Sequence, residues 1–203
     1  MLLAPPGAGK GTQGTRLAEH LGIRHIAVGD LLRDHVRRGT PIGERVAAAV
    51  DNGELAPDDV VLEAVLPDVV VAAAAGGFLL DGYPRRMPQA LAAADLALQL
   101  GVRLNAVVYL RVPENVLVDR LVHRGREAGR SDDTPDVIRN RLRLFTEQTA
   151  PLISYYRDRG ILVTVDGDQP PDDVTADILR RLHELRESQD KPDEGEPAKP
   201  DEG

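Results

Sequence analysis

Short apolar runs alternate with helix-period segments along most of the chain. Residues 1–3 read as a stub of strand, 78–81 as a short buried strand closing on an acid, and 105–112 and 161–166 as two further strands. Between them the spacing predicts helices over 10–21, 30–38, 41–51, 58–75, 87–99, 114–123, 135–149 and 171–186, with Leu17 and Leu21 sharing one face of the first. Ile138, Leu142, Phe145, Thr149, Leu152 and Tyr156 recur at helical spacing, and Pro151 should kink that helix or restart it. Strand and helix in alternation imply a parallel sheet covered on both faces, with ligands beyond the carboxyl ends of its strands. Only three residues precede Ala4, so the first strand is short or the chain starts late relative to its gene product. A clipped central strand would lower stability and loosen the loop that follows it.

Composition narrows this picture. The 203 residues suit one domain with insertions. Aromatic residues make up 3% of the chain, so Ala, Val and Leu must build the core, with Tyr155 and Tyr156 packed into it. Cysteine is absent, which excludes disulfides and thiolate metal sites and fits a reducing cytoplasm. The five histidines, His20, His25, His35, His123 and His183, lack metal-ligand spacing. No apolar run approaches the ~20 residues of a membrane span, and no basic-then-apolar leader is visible. The net charge of −8 is concentrated in the acidic, proline-bearing stretch 187–203, which should be disordered. A body with the remaining balance is no general nucleic-acid binder.

The candidate chemistry begins at Ala4-Pro-Pro-Gly-Ala-Gly-Lys-Gly-Thr12. All but three of the 25 basic residues are arginine, and one of the three lysines, Lys10, stands between Gly9 and Gly11. Small residues let main-chain N–H groups approach an anion, and a helix starting near Lys10 aims its positive end at the same point. A compact ammonium can follow a phosphoryl group better than a planar guanidinium can. The pattern fits a nucleotide phosphate cradle, although an ordinary tight strand-to-helix turn uses similar residues.

Two more clusters carry charge. Asp81 closes an apolar strand, so its carboxylate should emerge at the ligand edge, where it could hold Mg²⁺ directly or through water. After the Gly82-Tyr-Pro turn, Arg85 can fork onto a phosphate, and Gln89 offers a donor and an acceptor to the edge of a base. The third cluster comprises Arg120, Arg124, Arg130, Asp132, Asp133, Arg139 and Arg141 around a short polar loop. Beside a phosphate loop, such arginines suit a segment that closes over transferring charge.

These motifs resemble the adenylate kinases, within the nucleoside monophosphate kinases. Ala4 to Gln13 is similar to that family's phosphate loop, Gly29-Asp-Leu-Leu-Arg33 to its monophosphate motif, and Phe78 to Gln89 to its Phe-Leu-Leu-Asp-Gly-Phe/Tyr-Pro-Arg…Gln signature. Asp119-Arg120-Leu121…Arg124, Gly129-Arg130…Asp132-Asp133 and Arg139-Asn140-Arg141-Leu142 resemble its lid and hinges. The resemblance implies an α/β P-loop kinase fold: a five-stranded parallel sheet with helices on both faces, plus small monophosphate-binding and lid insertions. It divides the chain into a core (1–26, 57–118, 134–186), a monophosphate-binding subdomain (27–56), a short lid (119–133) and the acidic tail (187–203).

The implied reaction is Mg·ATP + AMP ⇌ 2 ADP, in a cytoplasmic monomer acting on free nucleotides. By position, Pro6, Gly7, Ala8, Gly9, Lys10, Gly11 and Thr12 would cradle the ATP phosphates, Arg120 would stack on the donor adenine, and the backbone near Gln169 would meet that base. Val28, Arg33, Gly82, Arg85, Gln89, Arg130 and Arg141 would serve AMP. Lys10, Arg85, Arg124, Arg130 and Arg141 would act in transfer, while Asp81 orients Mg²⁺ through water and Asp132 and Asp133 tune closure. The lid lacks the length and cysteines of the zinc-binding form, so no zinc is expected.

One departure bears on specificity. Adenylate kinases usually carry Ser-Thr before Gly-Asp, where this chain has Ala27-Val28. The lost hydroxyl could be worth about 0.5–1.5 kcal/mol. It leaves a pyrimidine (UMP/CMP) kinase as an alternative, and the short first strand leaves a nucleotide-binding protein with little turnover as another.

Overall fold

A computed structural model describes residues 1–128 and 134–190. Five strands form one parallel sheet: β1 (Leu2–Leu3), β2 (Arg24–Ala27), β3 (Phe78–Asp81), β4 (Val107–Arg111) and β5 (Leu162–Asp166), in the order β2-β3-β1-β4-β5. The two-residue β1 is central. Leu2 is in register with Asp81 on one side and with Val108 on the other. The strand order reverses about β1, so the crevice at its carboxyl end is where a ligand belongs.

Alternation along the strands divides the core into two faces. Leu2, Val108, Leu110, Val163 and Val165 pack with Leu17 of α1 (Lys10–Leu21), Leu117 and Leu121 of α6 (Glu114–Ala128), and Val174 and Ile178 of α9 (Pro171–Asp190). Leu3 and Val107 face the other way, onto Ala90 of α5 (Met87–Gln99) and Leu152 and Tyr156 of α8 (Pro151–Arg157). A third cluster joins α2 (Val28–Arg37), α3 (Pro41–Asn52) and α4 (Asp58–Ala74) through Val28, Leu32, Val46, Val60, Val61 and Val65. Residues 27–56 therefore share an apolar core with α4 of the main body.

Leu121 is fully buried directly beneath the loop after β1. Leu121→Ala is expected to cost about 2–5 kcal/mol by leaving a cavity, read as a lower urea midpoint with an unchanged slope.

Several elements differ from those the sequence pattern predicts. Strand β2 was not marked by an apolar run: it reads Arg-His-Ile-Ala, lies at the sheet edge, and buries only Ile26 fully. Helix α2 starts at Val28, directly after it. Helix α6 continues through Gly125 to Ala128, where a polar loop was expected. The predicted 135–149 helix is α7 (Pro135–Leu144) followed by a π-helical turn (Phe145–Thr149), after which α8 restarts with Pro151 in its first turn. Ala150 N–H donates to the Phe145 carbonyl across that turn, so the wider turn absorbs the proline. Helix α9 runs to Asp190, so residues 187–190 of the expected disordered tail are helical, and 191–203 lie outside the described residues.

Candidate active site

The loop from Ala4 to Gly9 leaves β1 and enters α1 at the sheet's carboxyl edge. Gly9, at the helix N-cap, has φ 91°, a left-handed conformation that side chains rarely adopt. Gly7 has φ 85°, and a Cβ there would lie 2.9 Å from the Leu117 carbonyl oxygen and 2.9 Å from Leu121 Cγ. Gly9 is thus required for the turn into α1, and Gly7 for the loop to lie close on α6. Within the loop, Lys10 Nζ donates to the carbonyls of Ala4 (2.9 Å) and Pro5 (3.1 Å). Desolvation lowers the Lys10 pKa to about 8. Attraction to Asp81 opposes that shift, while repulsion from Arg85, Arg141 and Arg124 adds to it. An anion bound beside Lys10 would oppose the downward shift and favour its charged form.

Lys10 and its loop open on a cavity of about 410 Å³. Pro6, Gly7, Gly9, Gly11 and Thr12 line one side, Gly29, Arg33, Gly82 and Arg85 another, and Asp81, Arg120, Arg124 and Arg141 also face it. A smaller cavity of about 70 Å³ is lined by Val28, Tyr83 and Gln89. The two share a wall that includes Arg33, Arg85 and Arg141. Asp81 is 7% exposed, and its Oδ2 lies 3.8 Å from His25 Nε2. Among the described residues Asp81 is the one buried carboxylate, and at a phosphate loop it fits an ion held mainly by water and phosphate oxygens. Among the described residues no group of three or more His, Cys, Asp or Glu could hold a metal ion.

Main-chain anchors fix Arg85. Its N–H donates to Gln89 Oε1 (2.7 Å), its carbonyl accepts from Thr149 Oγ1 (2.9 Å), and its own Nε donates to the Gly82 carbonyl (2.8 Å). Arg33 Nη2 donates to Asp30 at 2.5 Å. Arg120 bridges α6 to the loop after β5, donating to the Gly167 carbonyl (3.0 Å) and to Asp168 (3.2 Å). Asn140 of α7 donates to the Asn52 carbonyl at the end of α3, and a Cβ on Gly53 would lie 2.7 Å from Arg141 Cγ. The α3 end and the Arg141 helix are therefore in contact.

Most of the residues singled out from the sequence meet at these two cavities. Ala8, within the loop, is buried and lines neither cavity, and Gln169 is exposed, donating to the Asp166 carbonyl beside the partners of Arg120. Arg130, Asp132 and Asp133 lie outside the described residues. Thr149, which lines the larger cavity, was not anticipated as part of the site, and Asp58 was not anticipated as a partner of Gln89. Thr149 read as one more position on a helical face, and Asp58 as the first residue of a helix.

A glycine loop entering a helix from a parallel strand, one lysine within it, a buried acid on the neighbouring strand and converging arginines define a P-loop phosphotransferase. The adenylate kinase family model matches residues 2–161. An adenylate kinase of Thermus thermophilus is 47% identical over 182 residues, covering 90% of this chain and 95% of that protein. Adenylate kinases of Stenotrophomonas maltophilia (46% over 182 residues, 90% and 97%) and of a Cyanothece species (42% over 186 residues, 92% and 95%) are similarly related. The chain belongs to the adenylate kinase family, and the comparisons support phosphoryl transfer between ATP and AMP. They do not favour the pyrimidine-kinase or low-turnover alternatives. No helix among the described residues is long and apolar enough to cross a membrane.

Proposed function

We propose that this chain moves the γ-phosphoryl group of Mg²⁺-bound ATP directly to the phosphate of AMP, giving two ADP. The observation that carries this reading is the shared wall of the two cavities. The phosphate loop opens only on the larger one, while Arg33, Arg85 and Arg141 face both. ATP then lies along residues 6–12 with its base toward Arg120 and Gln169, and AMP lies with its phosphate at Arg33 and Arg85 and its base toward Val28 and Gln89. Residues 27–56 serve as the acceptor subdomain, 119–133 as the lid, and the rest of the fold as the core. Bound Mg²⁺ would be oriented by Asp81 through water and would neutralise charge on the β- and γ-phosphates.

In the transfer, an oxygen of the AMP phosphate bonds to the γ-phosphorus as the bond to the β,γ-bridging oxygen breaks. The leaving oxygen stays on ADP, and no proton abstraction is needed. Lys10 tracks the transferring group, and Arg85, Arg124 and Arg141, with Arg130 from the lid, offset charge on its oxygens. Closure over the site keeps water from taking the phosphoryl group. Both sites lie within one chain, which supports a monomer acting on free nucleotides; a cytoplasmic location and a lid without zinc belong to the same reading.

Purified protein given ATP and, in turn, AMP, UMP or CMP is expected to form diphosphates fastest with AMP and only with Mg²⁺ present. Faster turnover with a pyrimidine monophosphate would overturn the acceptor assignment. Proton linkage gives a second readout. ATP favours charged Lys10, so it raises a pKa that stands at about 8 in the free protein. ATP binding above that pH should therefore take up protons and weaken as pH rises. Titration calorimetry at about pH 8.5 in two buffers of different ionisation enthalpy checks this. Buffer-independent heats would contradict it. The same linkage makes the nucleotide-free fold more stable as pH rises from about 8 toward the ordinary lysine value of 10.5, since the unfolded chain binds more protons there.

A further inference from the structure

We propose that Asp58 is a specificity-determining positioning residue: it locks the Gln89 carboxamide in the one orientation that accepts an adenine edge and rejects a 6-oxo purine. The inference rests on the reading above that Gln89 meets the acceptor base. Asp58 is the first residue of α4. Its Oδ1 accepts from Gln89 Nε2 at 2.5 Å and also from Arg86 Nη2, which donates in addition to the Ala56 carbonyl. The Gln89 Oε1 accepts the Arg85 main-chain N–H at 2.7 Å. Gln89 is 4% exposed and lines the smaller cavity beside Val28.

These two partners determine which way the amide faces. A main-chain N–H can only donate and an ionised carboxylate can only accept, so Oε1 must face Arg85 and Nε2 must face Asp58. One amide N–H and one lone pair are left over. An amide in this orientation pairs with a ring nitrogen that accepts next to an exocyclic amine that donates, which is the edge adenine presents. Hypoxanthine presents the reverse: a ring N–H beside a carbonyl. Pairing with it requires the amide to flip. The flip would set an NH₂ against the Arg85 N–H and a carbonyl oxygen against the Asp58 carboxylate, two contacts of like polarity in a buried site. Val28 supplies no hydroxyl that could discriminate, which gives the lock on Gln89 more of the work of separating the two bases. Arg86 holds Asp58 in place, and the charge of Asp58 at the start of α4 suits the positive end of that helix.

The test compares kcat/KM for AMP and for IMP in the full chain and in Asp58→Ala, Asp58→Asn and Gln89→Leu. In Asp58→Ala the AMP/IMP ratio should fall about tenfold through KM, with kcat for AMP within about twofold of the parent. Asp58→Asn retains an oxygen that Arg86 can turn toward Gln89 but also carries an NH₂ that tolerates the flipped amide, so it should recover only part of the ratio. That split and that rescue would not follow from general loosening of the fold. If Asp58→Ala does not fold, Asp58→Ser, too short to reach Gln89 but compatible with a helix start, carries the same expectation. An AMP/IMP ratio unchanged in Asp58→Ala while Gln89→Leu collapses it would overturn the lock and leave the base-reading assignment intact. A ratio unchanged in Gln89→Leu would remove the base-reading assignment and the lock together.

Discussion

Arg124→Ala is expected to lower kcat by about 10³-fold while changing ATP affinity by less than about threefold. Arg124 lies on α6, one helical turn beyond Arg120, and faces the larger cavity near enough to Lys10 to depress its pKa. On the proposed reading, a guanidinium on that wall faces the phosphoryl group in transit more than the bound donor. Its contribution therefore falls on the transition state, where negative charge spreads over the equatorial oxygens. Single-turnover transfer rates alongside equilibrium ATP titration separate the two effects. Near-parental turnover would remove Arg124 from the site. A parallel loss of affinity and rate would make it a binding residue.

Lys10→Met is expected to lower kcat/KM by about 10³-fold or more and to abolish the proton uptake that accompanies ATP binding above pH 8. The lysine sits at the start of α1 and bridges two carbonyls of its own loop. Methionine keeps much of the stem's volume but cannot donate to those carbonyls or to a phosphate. Because the two bonds to Ala4 and Pro5 also shape the loop, a modest loss of thermal stability should accompany the loss of rate. Thermal unfolding with and without ATP checks this. The parent should gain stability from ATP by mass action, and the variant should gain less.

The sequence made some of this structure legible and hid other parts for physical reasons. The strands at 78–81 and 161–166 bury apolar side chains, so their runs are visible; β2 is an edge strand with one fully buried residue and shows almost no pattern. Phosphate-loop residues were legible because glycine, lysine and a strand-to-helix transition leave few other uses for that combination. The expected end of α6 at residue 123 fell short because the polar residues beyond it read as a loop, yet the helix continues through Gly125 to Ala128. Thr149 and Asp58 stayed hidden for a different reason. Each acts through a hydrogen bond that spans the fold, Thr149 to the Arg85 carbonyl 64 residues away and Asp58 to Gln89 31 residues away. No local spacing encodes such a bond. It exists only once the sheet has brought β3, α4 and the π-helical turn together.

Transfer of the label from γ-³²P-ATP in a single turnover with excess AMP and Mg²⁺ tests phosphoryl passage from the donor to the acceptor in the adjoining cavities. The expected result is label in the β-phosphate of newly formed ADP, one for each ATP consumed, with no labelled inorganic phosphate. Release of labelled inorganic phosphate in place of labelled ADP, or ATP binding without any transfer, would contradict it.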